Sequence, residues 1–271
     1  TLAFNGATVG QNNGEIAIHH TVASQPPTIY AATGVAGGTI FRSTDHNVFT
    51  PGAPLPTWTP LVNNNFCGGQ CFYDIAVAVD PTNAGRVYLG GDPNMVFGIS
   101  NPAVTGFAKS ERGLHADTHV IAVAPSQPAT IYLGTDGGIY KSADGGANWT
   151  KHVPPGLRSY RFPYTDEEDP LPRWVEPLAW DAAGHLYYLW TDPTGLWLAR
   201  STDRGAQWTT WRLAQGGDVR YFPYLVARGK GELAATWHSG RGAGIKVHAA
   251  RIDVGDGDMP PRMVEAAPFT A

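Results

Sequence analysis

The chain has 271 residues with a net charge of −4, a pI near 6.1, 15% charged residues and 11% aromatic residues. That length is enough to bury a sizeable core. Scattered Lys and Arg on a mildly acidic chain exclude the basic stripe of a nucleic-acid binder, and no apolar run approaches the roughly 20 residues that a membrane helix requires. With 33 Gly and 22 Pro and no sustained helical periodicity, the composition points to an all-β domain rich in turns.

In chain order, the opening "TLAFNGATVG" lies ahead of the first repeat, and residues 1–14 are a candidate strand to close a ring of repeats. "SQPPTIYAAT" (24–33) then pairs a polar Pro-containing turn with a β-rich run, and "FRSTDHNVFTPGAPLPTWT" (41–59) contributes Ser43, Asp45 and, after a long insertion, Trp58. "FCGGQCFYD" holds the only cysteines, Cys67 and Cys71. Their spacing around Gly-Gly suits a small disulfide-closed loop in a secreted chain; two free thiols are the alternative, and a metal role lacks a second cysteine pair. "TNAGRVYLGG" (82–91) repeats the turn-and-strand phrase.

"GLHADTHVIAVAP" (113–125) follows. With a strand starting near His115, period-two alternation puts His115, Asp117 and His119 on one face. Such a face suits ligand contact, and imidazole nitrogens with a carboxylate form a weak candidate metal set; the bland alternative is a bonded His–Asp pair at the strand's start. The first repeat has Asn13, Glu15 and Ala17 at the corresponding positions, so the histidines are local to this repeat.

"SQPATIYLGT" (126–135) leads into "GTDGGIYKSADGGANWT" (134–150), where Ser142, Asp144, Gly146 and Trp149 surround a tight turn. Residues 151–173, with four prolines and the acidic run "TDEEDP", read as a long loop rather than a degenerate sixth repeat. "AAGHLYYLWT" (182–191) and "RSTDRGAQWT" (200–209) restore the pattern, with Ser201, Asp203, Gly205 and Trp208 at the offsets of the preceding motif; "GKGELAATWH" (229–238) is the last turn-and-strand phrase. Taking Tyr30, Tyr88, Tyr132, Tyr187 and Ala234 as equivalent, the repeats are 44 to 58 residues apart, close to the ~40–50 of propeller blades.

The S-x-D-x-G-x-x-W pattern resembles the Asp-box, or BNR, repeat of sialidase-like and VPS10-like β-propellers. Residues 15–150 are most similar to the VPS10-like and bacterial repeats, and 158–252 to sialidase-type blades. The resemblance implies one all-β propeller of four-stranded antiparallel blades. Five are expected, with six the alternative count, at about 15–62, 71–112, 115–155, 174–215 and 218–268. It also implies that the box residues are structural, with each Asp bonding turn amides and Trp149 and Trp208 largely buried between blades. A similar H-x-D-x-H run occurs in the VPS10-like group with no secure catalytic role.

"YRFP" (160–163) resembles the sialidase F/Y-R-I-P motif, which makes Arg161 a carboxylate clamp. Arg220 and Arg241 are its possible partners, and Tyr221, Glu176 and Asp166 the nominees for nucleophile, base and acid. The motif order and blade count depart from the enzymes, and "RFPY" with "YFPY" (221–224) also reads as paired strand starts. The expected function is therefore a secreted or extracellular recognition propeller, without cofactor, that binds a glycan or protein through its central channel face. An exo-acting sialidase-type glycoside hydrolase and a structural module of an extracellular assembly are the alternatives.

Overall fold

The computed structural model describes residues 14–19, 27–45, 57–61, 65–71, 73–92, 96–99, 107–109, 114–152, 160–161, 168–169, 177–192, 194–215, 220–240 and 244–270. These residues contain no α-helix; they form 23 strands and one 3-10 turn, Val35–Gly37.

Five antiparallel sheets follow one another along the described chain, each strung from consecutive strands. The first is β1 (Gly14–His19), β2 (Thr28–Thr33), β3 (Thr39–Ser43) and β4 (Thr59–Pro60). The second is β5 (Ala76–Asp80), β6 (Asn83–Gly90), β7 (Val96–Ile99) and β8 (Phe107–Lys109). The third is β9 (Thr118–Val123), β10 (Ile131–Thr135), β11 (Gly138–Ser142) and β12 (Thr150–His152). A two-stranded ladder, β13 (Tyr160–Arg161) with β14 (Glu168–Asp169), lies within the stretch expected to be an unpaired loop. The fourth sheet is β15 (Leu178–Trp180), β16 (Leu186–Asp192), β17 (Gly195–Ser201) and β18 (Thr209–Gln215). The fifth is β19 (Arg220–Ala227), β20 (Glu232–Ser239), β21 (Lys246–Asp253) and β22 (Arg262–Glu265), with β23 (Phe269–Thr270) also pairing with β21.

The turn-and-strand phrases of the sequence are the hairpins from the first to the second strand of each sheet. Asp80 and Asp181, each at the start of such a hairpin, are buried acceptors for backbone amides of their own turns: Thr82 N–H to Asp80 at 2.8 Å, and the Ala183 and His185 N–H groups to Asp181 at 2.9 Å. The second strands β2, β10 and β16 are almost wholly buried, as "LYYLW" in β16 shows, because apolar residues on both faces are covered, whereas β6 is buried over its second half and β20 alternates.

The described chain divides into two compact units, Thr1–Ile131 with Lys141–Thr150, and Tyr132–Tyr140 with Lys151–Ala271. The core of the first gathers Tyr30, Ile40, Phe66, Val77, Val87 and Leu89 around the cysteine loop. The core of the second gathers Tyr187, Leu189, Leu198, Trp211, Leu233, Trp237 and Ile252. In the first unit, Tyr30 buries its ring and donates its hydroxyl to Ala84 O at 2.6 Å; in the second, Tyr132 does the same to Arg204 O at 2.6 Å. A buried phenol keeps the benefit of its ring only if the O–H finds an acceptor.

Candidate functional site

Cys67 and Cys71 are joined in a disulfide with Cα atoms 4.8 Å apart. The loop turns tightly, with Gln70 N–H donating to Cys67 O and Gly68 in the left-handed region at φ 49°. A Cβ on Gly91 would come within 3 Å of Phe66 and Cys67 atoms, so glycine lets the end of the second sheet approach this loop.

Against this loop lies the start of β9. The expected alternation does not run through it: the strand begins at Thr118, and Asp117 sits in the left-handed region at φ 63°, so His115, Asp117 and His119 do not share one strand face. A left-handed aspartate costs conformational energy that surrounding contacts must offset. One such contact is Gln70 Nε2, which donates to Asp117 Oδ1 at 3.3 Å. His119 is inside the strand and 8% exposed, with its ring edge-on to Tyr73 at 4.6 Å. His115 is exposed, its Nδ1 3.0 Å from Ala116 O. No three His, Cys, Asp or Glu side chains among the described residues converge closely enough to hold a metal ion. Sequence reasoning missed Gln70 and Tyr73; the signal was present in "CGGQCFYD", whose polar and aromatic positions follow directly from the tight loop.

The three Ser-x-Asp turns share one geometry. Ser43, Ser142 and Ser201 are buried, and each donates its hydroxyl to the aspartate two residues on, at 2.9, 2.8 and 2.8 Å. Asp144 accepts from Asn148 N–H at 2.9 Å and Asp203 from Gln207 N–H at 2.8 Å. In the first sheet Asp45 accepts from Thr57 N–H at 2.9 Å, across the insertion. Gly146 and Gly205 N–H close the turns onto Ser142 Oγ and Ser201 Oγ, and both glycines need positive φ, 96° and 80°. These bonds hold all three carboxyls below their ordinary value. Hydrogen bonds from Thr57 dominate for Asp45, those from Asn148 take Asp144 down to about 2, and the Gln207 amide leads for Asp203.

The tryptophans differ from expectation. Trp58 is buried at 5%, but Trp149 and Trp208 are only half-buried. Trp208 instead donates from Nε1 to Gly205 O at 3.1 Å, and its ring helps line a cavity of about 240 Å³ with Asp203, Gln207 and Asp258. A side chain with a polar atom satisfied by its own turn has less to gain from full burial.

Of the sialidase-like candidates, Arg161 lies on β13, paired across the ladder with Glu168. Its side chain, along with Arg241, Asp166 and Glu176, lies outside the described residues, as does 1–13. Arg220 starts β19 and is half-buried. Tyr221 beside it is 4% exposed and stacked flat on His238 at 5.7 Å.

No family model matches the chain, and no curated protein matches it. Among solved structures, an ancestral GH74 enzyme is 14% identical over 96% of this chain with a TM-score of 0.53; this chain spans 33% of that one, about a third of its length. A chain of a nidogen/laminin complex is 12% identical over 94% of this chain and 80% of its own, with a TM-score of 0.54. At such identities the likeness concerns the fold, and these neighbours are β-propellers. With its consecutive four-stranded antiparallel sheets, the chain is an all-β protein of β-propeller architecture.

Proposed function

We propose that the chain is a secreted Asp-box propeller of the sialidase-like and VPS10-like kind, its five sheets serving as five blades, and that it acts as a recognition module for a glycan or protein. Its binding site is the surface where the disulfide loop meets the start of β9. The observation that carries this reading is the Gln70–Asp117 hydrogen bond, which ties a covalently closed loop to a left-handed aspartate beside the exposed His115. Backbone strain held by a crosslinked neighbour is a mark of pre-organised sites. The exposed His115 imidazole, with the half-buried Gln70 amide and Asp117 carboxylate, suits directed hydrogen bonds to sugar hydroxyls or peptide groups. The nidogen/laminin neighbour is a fold relative found in complex with another protein, which fits a binding role for this architecture.

The test is a binding screen of the intact chain on a glycan array and, separately, on an extracellular-matrix protein panel. It is followed by titration of any hit with His115→Ala and Gln70→Ala. Binding that weakens at least about tenfold in both variants, at unchanged melting temperature, supports the site. Hits that bind both variants as tightly as the parent, or no hit on either panel, defeat it.

A further inference from the structure

Across the fifth sheet, three side chains form a continuous relay. Ser239 Oγ, at the end of β20, lies 2.7 Å from His248 Nε2 on β21, and His248 Nδ1 lies 2.6 Å from Glu265 Oε1 on β22. The register explains the line-up. Trp237 pairs with His248 and Ala250 with Glu265, so Ser239, His248 and Glu265 occupy one face of three adjacent strands, each a diagonal step from the next. An ionised carboxylate only accepts, so Glu265 fixes the tautomer: Nδ1–H donates to it, which leaves Nε2 bare to take the Ser239 O–H. The Trp237 ring lies flat on the imidazole at 5.1 Å with an interplanar angle of 6°, holding its plane. Two cationic residues are directly opposite Ser239 in the ladders on either side, Arg220 on β19 and Lys246 on β21.

We propose that Ser239, His248 and Glu265 are a nucleophile, general base and orienting carboxylate for transfer of a short acyl group from an ester carried on an anionic molecule. This activity goes beyond the recognition role and does not depend on it. The distances are those at which a serine is activated by an imidazole that a carboxylate orients, a constellation recognised by geometry and not by chain order. Ser239 Oγ attacks the ester carbonyl as its proton passes to His248 Nε2, and the carbonyl π electrons move onto oxygen beside the Arg220 and Lys246 positions. Collapse breaks the C–O bond, and the departing alkoxide takes the proton from His248, leaving an acyl-serine. Water then adds to that ester, gives its proton to Nε2 and, on collapse, releases the carboxylic acid and restores the serine. Exposure rises along the relay, from 2% at Ser239 to 14% and 33% at the His248 and Glu265 side chains. With so little of Ser239 exposed, the proposed acyl group is limited to acetyl size, and the cationic residues opposite it favour an anionic carrier.

The experiment treats the intact chain with methanesulfonyl fluoride, a sulfonylating agent of acetyl size, and maps adducts by mass spectrometry. In parallel, hydrolysis of 4-acetoxybenzoate, p-nitrophenyl acetate and p-nitrophenyl decanoate is followed. A single adduct on Ser239 is expected, with 4-acetoxybenzoate turned over most efficiently and the decanoate spared. Ser239→Ala and His248→Gln should lower kcat about a thousandfold or more, and Glu265→Gln should lower kcat with KM unchanged. The labelling requires no variant, so it reads the proposal even if a substitution unfolds the sheet. No adduct on Ser239, adducts spread over many hydroxyls, or a parent rate equal to that of a folded Ser239→Ala would overturn it.

Discussion

Asp45, Asp144 and Asp203 show how a short turn stores acid sensitivity. Each carboxylate is bonded in the folded chain and bears a pKa below its unfolded value of 3.8. Their contribution is thus complete above that value and is lost as pH falls through the folded value, about 2 for Asp144. His238 acts over a higher window. Burial, and then the neighbouring His248, holds it below the usual 6.5, so the unfolded chain binds the extra proton and stability falls as pH drops below 6.5. Urea midpoints measured from pH 8 to pH 2 should therefore show two declines. His238→Phe, which retains a ring against Tyr221, should flatten the first, and Asp144→Asn the second. Asp181 carries a heavier role: His185 Nδ1, Tyr187 O–H and Gly231 N–H all converge on its Oδ2 at 2.9–3.0 Å, and burial, followed by the Asp181 charge, makes the Tyr187 hydroxyl harder to ionise. Asp181→Ala strands those donors in a buried place and should cost about 3 kcal/mol in chemical denaturation; a loss under 1 kcal/mol would show that water replaces the carboxylate.

At the scale of elements, what the sequence revealed was whatever is decided within one turn. The Ser-x-Asp spacing specifies its own hydrogen bonds, and the Tyr30, Tyr88, Tyr132 and Tyr187 landmarks are all buried on second strands, while the fifth, Ala234, is exposed on β20. Depth of burial was less legible, because it depends on what covers the turn. Trp58 and Trp149 occupy the same motif position, yet one is buried and the other half-exposed. Trp58→Ala should accordingly cost ~3–5 kcal/mol and Trp149→Ala about half that, compared by thermal melting; equal losses would mean that motif and not packing sets the energy. The start of β9 was misread since alternation assumes extended backbone, and one left-handed residue, Asp117, breaks the register. The Ser239–His248–Glu265 line was invisible for a different reason: separations of 9 and 17 residues become neighbours only through ladder register, which no local pattern encodes.

For the whole molecule, the feature with the widest consequence is the plain order of strands. In each of the five sheets the main path runs through consecutive strands, with β23 joining β21 past β22 in the fifth, and among the described residues no ladder joins one sheet's strands to another's. Every pairing therefore closes a loop shorter than one repeat, and loop-closure entropy grows only slowly over such lengths. All-β proteins fold slowly when their ladders join distant segments; here each sheet is able to assemble as soon as its own stretch of chain is available, before the next is complete. Opening should follow the same grain: amide exchange in the native state should group by sheet, with β16 and β17 among the last to exchange and each sheet's protons released together.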